Sequence, residues 1–205
     1  MGQRLVIGVR RNEDSDEKLL CALYFHWSAY PSTTIDELSK VVKGISSELN
    51  TTDFSSKTDE EIQLAMIRTI ENLGGGIDGG DGSLEWHIIK EKFPNEKFKT
   101  ENISRNSGLI AISEECIRRM YEMAQGTAEI YLNDNTVSTD VWWSYNNYEE
   151  FVKEEGDDIG EDKFTKVDFD LMGTLKWDSL DTIEEIIRTN HYIKFPDGSF
   201  SEFME

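Results

Sequence analysis

The first thirty positions alternate apolar and polar residues with the two-residue period of β-strands. RLVIGVRR (4–11) places its apolar residues on one face, and the polar segment NEDSDE (12–17) separates it from KLLCALYFHWSAY (18–30). Two such stretches joined by a short polar loop predict an antiparallel hairpin. Because the second stretch is apolar or aromatic on both faces, we expect its strand to be central in a sheet and covered on both sides.

The next two segments space their apolar residues every three or four positions, which predicts amphipathic helices. The first is TTIDELSKVVKGISSEL (33–49), which begins with threonines and early acids. The second is TDEEIQLAMIRTIENL (58–73), in which Thr58 and Glu61 have the spacing of a capping box. GGGIDGGDG (74–82) then predicts a flexible connector.

Hairpins and short helices alternate over the rest of the chain. The predicted elements are a helix from Ser83 to about Lys92, a strand over 107–113, a helix over 114–125, a hairpin over 126–145 that turns at 133–135, a helix over 147–155, a strand over 163–171, a helix over 179–190 and a hairpin over 191–203. This order predicts an α+β fold, an antiparallel sheet of hairpins with helices packed on its faces. We expect a single domain over 1–205, with an acidic C-terminal portion, about 146–205, as a candidate subdomain.

The formal net charge of −20 is the most unusual property of the composition. Residues 1–102 carry 12 basic and 18 acidic side chains, net −6, whereas residues 103–205 carry 9 and 23, net −14. Nucleic acid and anionic membranes should repel such a chain, and basic protein surfaces should attract it. We therefore expect a basic protein partner, and neither direct nucleic-acid binding nor membrane binding.

The acids are densest in EEFVKEEGDDIGEDKFTKVDFDL (149–171), which holds ten acidic residues against three lysines. Glycines at 156 and 160 predict an acidic loop, and alternate residues of the strand that follows lie about 6.6 Å apart. That distance approximates two nucleotides at about 3.4 Å each, as a phosphate-imitating surface requires. The candidate partner-binding residues are Glu149, Glu150, Glu154, Glu155, Asp157, Asp158, Glu161, Asp162, Asp168 and Asp170. An ordinary solvated acidic face is the simpler interpretation, and it stays open.

His26 is the one candidate for acid–base chemistry, because Tyr24, Ser28 and Tyr30 share its face of the predicted strand. Ser28 would have to be the nucleophile, but residues two apart on a strand lie about 6.6 Å apart, too far for a direct hydrogen bond. A hydrogen-bonded histidine packed under a helix is therefore favoured. The alternative is a small hydrolase or nucleotide-processing enzyme with its site near His26, Tyr24 and Tyr30.

Three other motifs fail to establish a site. GGGIDG (74–79) matches a dinucleotide fingerprint but follows a predicted helix rather than a strand. DGGDGSLEW (78–86) has glycines where an EF-hand needs oxygen ligands. VWWSYNNY (141–148) could stack bases, but acids follow it, so core packing is favoured over a protein-binding or self-associating patch at Trp142 and Trp143. No catalytic residue, metal ligand or cofactor is assigned.

The two cysteines, Cys21 and Cys116, lie in an apolar run and a predicted helix, so we expect buried free thiols. The first residues lack the apolar stretch of a signal peptide, and no window approaches 18 apolar residues. We expect a reducing, cytoplasmic compartment.

Three motifs carry a resemblance to a known group: GQRL (2–5), YFHWSAY (24–30) and SRNSGLIAIS (104–113). Together they resemble a group of uncharacterised phage and prophage proteins of Gram-positive bacteria, over the first hairpin and the middle of the chain. The resemblance implies a viral protein inside a host cell, where small acidic proteins often disarm defence enzymes. With the charge, it leads us to expect an anti-CRISPR-like inhibitor, a mimic of nucleic acid, of a host nucleic-acid-binding defence factor. A structural or regulatory phage protein that self-associates through Trp142 and Trp143 is a further alternative.

The order of strand pair, helix pair and strand pair is also similar to that of N-terminal-nucleophile hydrolases. Their chemistry requires a terminal threonine, serine or cysteine. Removal of Met1 would expose Gly2, which offers no nucleophile. If the layering is shared, we expect that activity to be absent or to depend on other residues.

Overall fold

The computed structural model describes residues 4–13, 18–29, 31–140, 142–143, 169–170 and 173–181. Its helices are α1 (Pro31–Leu49), α2 (Asp59–Asn72), α3 (Leu84–Lys92) and α4 (Glu114–Glu122). Its strands are β1 (Leu5–Arg10), β2 (Cys21–Phe25), β3 (Gly76–Ile77), β4 (Leu109–Ala111), β5 (Gly126–Tyr131), β6 (Thr136–Asp140), β7 (Trp142–Trp143), β8 (Phe169–Asp170) and β9 (Gly173–Lys176).

Seven of these strands form one sheet in the order β3-β4-β2-β1-β5-β6-β9. The α+β class is confirmed, but the prediction of a purely antiparallel sheet is wrong. β5 runs parallel to β1, and β3 runs parallel to β4. The reason lies in the connections. α3 lies between the parallel strands β3 and β4, and α4 carries the chain from β4 across the sheet to β5, so both parallel pairs have the long crossover that parallel strands need.

β2 is central, as its two apolar faces predicted. It pairs with β1 on one side and with β4 on the other, and all five of its residues are buried. The strand is shorter than predicted, however, since it ends at Phe25. The backbone at Trp27 has a φ of 67°, which lies in the left-handed region and turns the chain out of the sheet.

The helix α2 begins with the predicted capping box. The Thr58 side chain accepts a hydrogen bond from the Glu61 amide, and the Glu61 carboxylate accepts one from the Thr58 amide at 2.8 Å. These two bonds satisfy donors that a helix N-terminus otherwise leaves open. α1, α3, α4 and the hairpin of β5 and β6 also follow the predicted segments, with ends that differ by a few residues.

The first face of the sheet carries the larger core and packs against α1, α2 and α3. One row of residues crosses the sheet on this face: Ile77, Ile110, Leu23, Ile7 and Ala128. All five are buried in one cluster with apolar side chains of the three helices, among them Leu38, Met66 and Ile89. Burial of such side chains stabilises the fold by roughly 1.5–3 kcal/mol each.

The second face changes character from one end of the sheet to the other. Its corresponding row runs Ala111, Ala22, Gly8, Glu129, Ser138 and Thr174. α4 covers the small apolar end through Cys116, Ile117 and Met120. At the polar end the Tyr131 hydroxyl lies 3.0 Å from Glu129 and 3.2 Å from Ser138.

The glycine stretch at 74–82 is not only a connector, which corrects the sequence prediction. Gly76 and Ile77 form β3, an edge strand that pairs with Leu109 and Ile110 of β4. The short strand escapes the periodicity test because two residues cannot show a period. Beyond it, Asp78 is held by Arg119 of α4 at 2.8 Å.

Several predicted elements lie outside the described residues. They are the helix over 147–155, the final hairpin over 191–203, most of the strand over 163–171 and, beyond Asp181, the helix over 179–190. Among the described helices, none has the length and apolar content needed to cross a bilayer.

Candidate functional site

The predicted acidic site joins the fold at a pair of short strands. Trp142 pairs with Asp170 and Trp143 with Phe169, so the chain leaves on β7 and returns antiparallel on β8. The 25 residues between them hold nine acidic and three basic side chains. Of the predicted partner-binding residues, Asp170 lies in β8, and the other nine lie outside the described residues: Glu149, Glu150, Glu154, Glu155, Asp157, Asp158, Glu161, Asp162 and Asp168.

The predicted histidine site is partly assembled at the end of β2. The Tyr24 hydroxyl and the Nδ1 atom of His26 are 2.9 Å apart, a hydrogen bond whose direction depends on the tautomer of the ring. The His26 amide also donates to the Arg105 carbonyl at 3.0 Å, which anchors the turn to the loop before β4. His26 is half-buried and hydrogen-bonded, as the favoured interpretation expected. Tyr30 lies outside the described residues.

Ser28 does not join His26. Its side chain is buried and hydrogen-bonds to Glu37 of α1. Its carbonyl accepts hydrogen bonds from the hydroxyls of Thr33 and Thr34 at 3.0 and 2.9 Å. Ser28 therefore holds the start of α1, which agrees with the expectation that it cannot act with His26 as a nucleophile.

Beside His26, the indole of Trp27 is 50% exposed. Its ring meets the His26 ring edge to face, with centroids 5.1 Å apart. A bulky residue in the left-handed backbone region is held there at a cost in free energy. The predicted strand pattern over 18–30 includes Trp27, but β2 ends at Phe25, so the Trp27 side chain does not continue the face of Leu23 and Phe25.

A buried carboxylate ties α3 to the start of α4. Glu85 is 1% exposed and accepts hydrogen bonds from the Ile112 amide at 2.5 Å, from the Ser113 amide at 3.2 Å and from the Ser113 hydroxyl. Both cysteines are buried free thiols, as predicted. Burial raises the pKa of Cys116, and Glu85 raises it further, so this thiol is a poor nucleophile despite its place in the first turn of α4.

A groove of about 660 Å³ opens between α1 and the end of β9. We call it the α1–β9 groove, and its polar and aromatic lining includes Lys43, Asp134, Asn135, Lys176, Trp177 and Asp178. Asn135 lies in the turn between β5 and β6 with a φ of 52°. Its side-chain oxygen is shielded from solvent and has no hydrogen-bond partner among the residues that the structure describes. Such an acceptor is uncommon in folded proteins and calls for an explanation.

The sequence did not single out this groove. Asn133–Asn135 was recognised only as a turn, and Trp177 and Asp178 lie in a segment, 172–178, for which no element was predicted. Their meeting depends on two backbone contacts: the Trp177 amide donates to the Asn135 carbonyl, and the Trp177 indole donates to the Thr136 carbonyl, both at 3.0 Å. Asparagine is common at left-handed positions of hairpin turns. Its presence at position 135 therefore does not indicate what surrounds its side chain.

Comparisons with known proteins give no further guide. No protein-family model matches the chain, no curated protein matches it, and no solved structure matches its fold. Among the described residues, no group of three or more histidine, cysteine, aspartate or glutamate side chains could hold a metal ion. The resemblance to phage proteins stays a prediction.

Proposed function

We propose that this chain is an acidic, phage-type interaction protein that inhibits a host nucleic-acid-binding defence factor, such as an RNA-guided nuclease. The acidic stretch would occupy the basic groove in which the factor holds nucleic acid. The site of action is then the cytoplasm of the host cell.

One observation carries the proposal: the most acidic stretch of a −20 chain is tied at both ends to the fold. Trp143 and Phe169 pair across β7 and β8, so residues 144–168 start and finish at one place. Joining both ends limits how far the carboxylates can disperse, which lowers the entropy lost when a partner orders them.

The charges of the described fold also favour binding to a basic partner. Its basic side chains are largely engaged with its own carboxylates, as in Arg11 with Asp59 at 2.7 Å and Arg68 with Glu96 at 2.8 Å. These pairs offset positive charge that would otherwise repel a basic partner. Attraction between opposite charges raises the association rate. Salt weakens this attraction, because the Debye length is only about 8 Å at physiological ionic strength.

The test is to neutralise the stretch and measure inhibition. In the variant, Glu154, Glu155, Asp157, Asp158, Glu161 and Asp162 become glutamine or asparagine. We expect the fold to persist by circular dichroism, while inhibition and binding of a panel of purified RNA-guided nucleases fall markedly and the parent's binding weakens from low to high salt.

The matched control removes six exposed carboxylates from the described fold: Glu60, Asp81, Glu91, Glu101, Glu114 and Glu115. The two variants have the same net charge, so a difference between them reports the position of the acids. If both inhibit equally well, or if binding does not change with salt, the acidic stretch is only a solvated surface and the proposal fails.

A second candidate is a hydrolase or nucleotide-processing site at His26, which the hydrogen bond to Tyr24 favours. The bond orients the imidazole, as a general acid or base requires. His26→Ala should then abolish turnover of ester and nucleotide substrates, whereas Trp27→Ala at the same turn should retain it. A parent protein that turns over none of these substrates rules this candidate out.

A further inference from the structure

Two arginines at one end of the sheet have no carboxylate partner among the described residues. The structure describes seven arginines, and five of them form ion pairs: Arg10, Arg11, Arg68, Arg118 and Arg119. The other two, Arg4 and Arg105, make no ion pair or side-chain hydrogen bond with any described residue. In a chain with a net charge of −20, two arginines without a carboxylate partner require an explanation.

The register of β1 and β2 places Arg4 beside His26. The pairing ends with Leu5 opposite Phe25, so at the next position Arg4 lies opposite His26. The His26 ring lies on the second face, because it hydrogen-bonds to Tyr24, which belongs to the cluster on that face. Leu5 belongs to the first face, so strand alternation puts Arg4 on the second. Opposite residues of an antiparallel pair have Cβ atoms about 4.5–5.5 Å apart.

Backbone hydrogen bonds fix both arginines on either side of His26. The Arg4 carbonyl accepts bonds from the Gln125 and Gly126 amides, at 2.8 and 3.1 Å. On the other side, the Arg105 carbonyl accepts a bond from the His26 amide at 3.0 Å. Since β2 lies between β1 and β4, the two arginines flank the imidazole from opposite directions.

An exposed aromatic ring adjoins these basic residues. The Trp27 indole is 50% exposed, although its backbone is held in the left-handed region with a φ of 67°. Strain of this kind in a bulky residue is concentrated at ligand-binding sites. Core packing does not account for a strained turn that leaves its largest side chain in solvent, whereas a ring on which a ligand stacks has to be accessible.

The other polar groups of the turn are compatible with an anion. The Tyr24 hydroxyl engages Nδ1 of His26, and the Nε2 atom has no hydrogen bond to a described residue, so it can serve as a donor. Glu37, which hydrogen-bonds to Ser28, is buried and lies 3.6 Å from the Lys40 ammonium. Its charge is therefore offset within α1.

We propose that the turn at His26 and Trp27 binds a nucleotide. The base stacks on the Trp27 indole, and Arg4 and Arg105 bind the phosphate together with His26. Arginine binds phosphate oxygens through paired hydrogen bonds, and bases of every kind stack on aromatic side chains. A chain with a charge of −20 repels a nucleic-acid polymer, which favours a single nucleotide.

This binding site coincides with that of the second candidate function, but the inference concerns binding alone. It requires neither turnover at His26 nor inhibition of a nuclease. A protein that binds nucleotides without converting them would contradict the second candidate function and support the inference.

Isothermal titration calorimetry of the full chain tests the two parts of the ligand. AMP should bind, whereas adenosine, which lacks the phosphate, and inorganic phosphate, which lacks the base, should each bind at least about tenfold more weakly. Adenosine binding as tight as that of AMP would overturn the role of the arginines. Phosphate binding as tight as that of AMP would overturn stacking on the indole, and an absence of AMP binding would overturn the whole proposal.

A short oligoadenylate distinguishes a free nucleotide from a nucleotide within a chain, because it carries the same base and phosphate. Binding of AMP at least as tight as that of the oligonucleotide, at physiological ionic strength, supports a free nucleotide. Tighter binding of the oligonucleotide overturns that assignment and indicates a nucleic-acid site.

Substitution of the exposed arginine tests the phosphate contact. Arg105→Gln keeps the backbone carbonyl that anchors His26, so the fold should persist by circular dichroism. Its affinity for AMP should fall about tenfold, while its affinity for adenosine should not change. The matched control is Arg68→Gln, which removes the same charge from α2 on the other face of the sheet. If both variants bind AMP equally, Arg105 does not contact the phosphate and the proposed site is wrong.

Substitution of the indole tests the stacking contact. Asparagine tolerates the left-handed backbone, so Trp27→Asn removes the ring and keeps the turn. Binding of AMP should weaken about tenfold, while binding of inorganic phosphate should not change. Leu84→Asn is the control, because Leu84 is also 50% exposed and lies on α3. AMP binding by Trp27→Asn that is as tight as binding by the control would show that the base does not stack on Trp27. The imidazole remains in this variant, so turnover at saturating substrate would be retained.

Discussion

The two faces of the central sheet share the same strands but differ in what they bury. On the first face the residues level with Ile7 are apolar across five strands, from Ile77 to Ala128. On the second face the row through Gly8 begins with two alanines and ends with Glu129, Ser138 and Thr174. The comparison teaches that large apolar side chains hold the first face together, whereas the second depends on close approach and hydrogen bonds.

The largest expected effect comes from emptying the first face. Phe25 is fully buried there, so Phe25→Ala should lower the free energy of unfolding by about 3–5 kcal/mol. On the second face, Cys116→Ala removes one buried sulfur and should cost only about 1 kcal/mol. Urea denaturation followed by circular dichroism measures both. Equal losses in the free energy of unfolding would mean that the two faces contribute equally to stability, which would contradict the comparison.

A smaller effect is expected at the bond that joins the helices of the two faces. Glu85→Ala leaves the buried amide of Ile112 and the Ser113 donors without an acceptor, so the free energy of unfolding should fall by about 2–3 kcal/mol. Hydrogen exchange should accelerate at these two amides. Glu85→Gln keeps one acceptor oxygen and serves as the control. A glutamine variant as unstable as the alanine variant would show that the charge, not the acceptor, is what matters.

Close approach on the second face can be tested at Gly8. A Cβ atom there would lie 2.3 Å from the Tyr121 hydroxyl and 2.8 Å from a Leu19 methyl, so Gly8→Ala should cost about 1–3 kcal/mol. The Tyr121 hydroxyl is buried and has no hydrogen-bond partner in the described part of the chain, and burial raises the pKa of this phenol. Tyr121→Phe should therefore be neutral or stabilising by up to about 1 kcal/mol.

The double variant completes this test. Since Tyr121→Phe removes the nearest clashing atom, it should recover part of the stability that Gly8→Ala loses, and a double-mutant cycle measures the recovery. Strict additivity of the two changes would show that the hydroxyl does not limit the approach of α4 to the sheet.

The smallest expected effect depends on pH and concerns α1 on the first face. Burial raises the pKa of Glu37, against the opposing influence of Lys40. A carboxyl with a raised folded-state pKa contributes stability that is complete below its unfolded pKa and is lost as the pH rises through the folded pKa. Glu37→Gln should therefore slightly stabilise the protein at pH 7, and the gain should shrink near pH 4. Glu91→Gln removes the same charge from an exposed position, and an equal gain there would refute the burial argument.

The sequence predicted the elements of the fold better than their arrangement. Residues 33–49 and 58–73 space their apolar residues every three or four positions, and α1 and α2 follow them. The direction of β5 beside β1 could not be predicted, because its strand pattern is the same in a parallel and an antiparallel pair. The end of β2 was missed for a similar reason, since the apolar alternation continues past Phe25 while the backbone turns at Trp27.

The features of the candidate sites also differ in whether the sequence alone predicts them. By itself the sequence determined what depends on near neighbours: the capping box at Thr58, the turn at Asn135 and the concentration of acids over 149–171. Only the tertiary structure decided that Asn135 meets Trp177 across the groove, because that contact joins residues 42 positions apart through the pairing of β6 with β9. Local rules act over about one helical turn, whereas a site is made by whichever distant strands become neighbours.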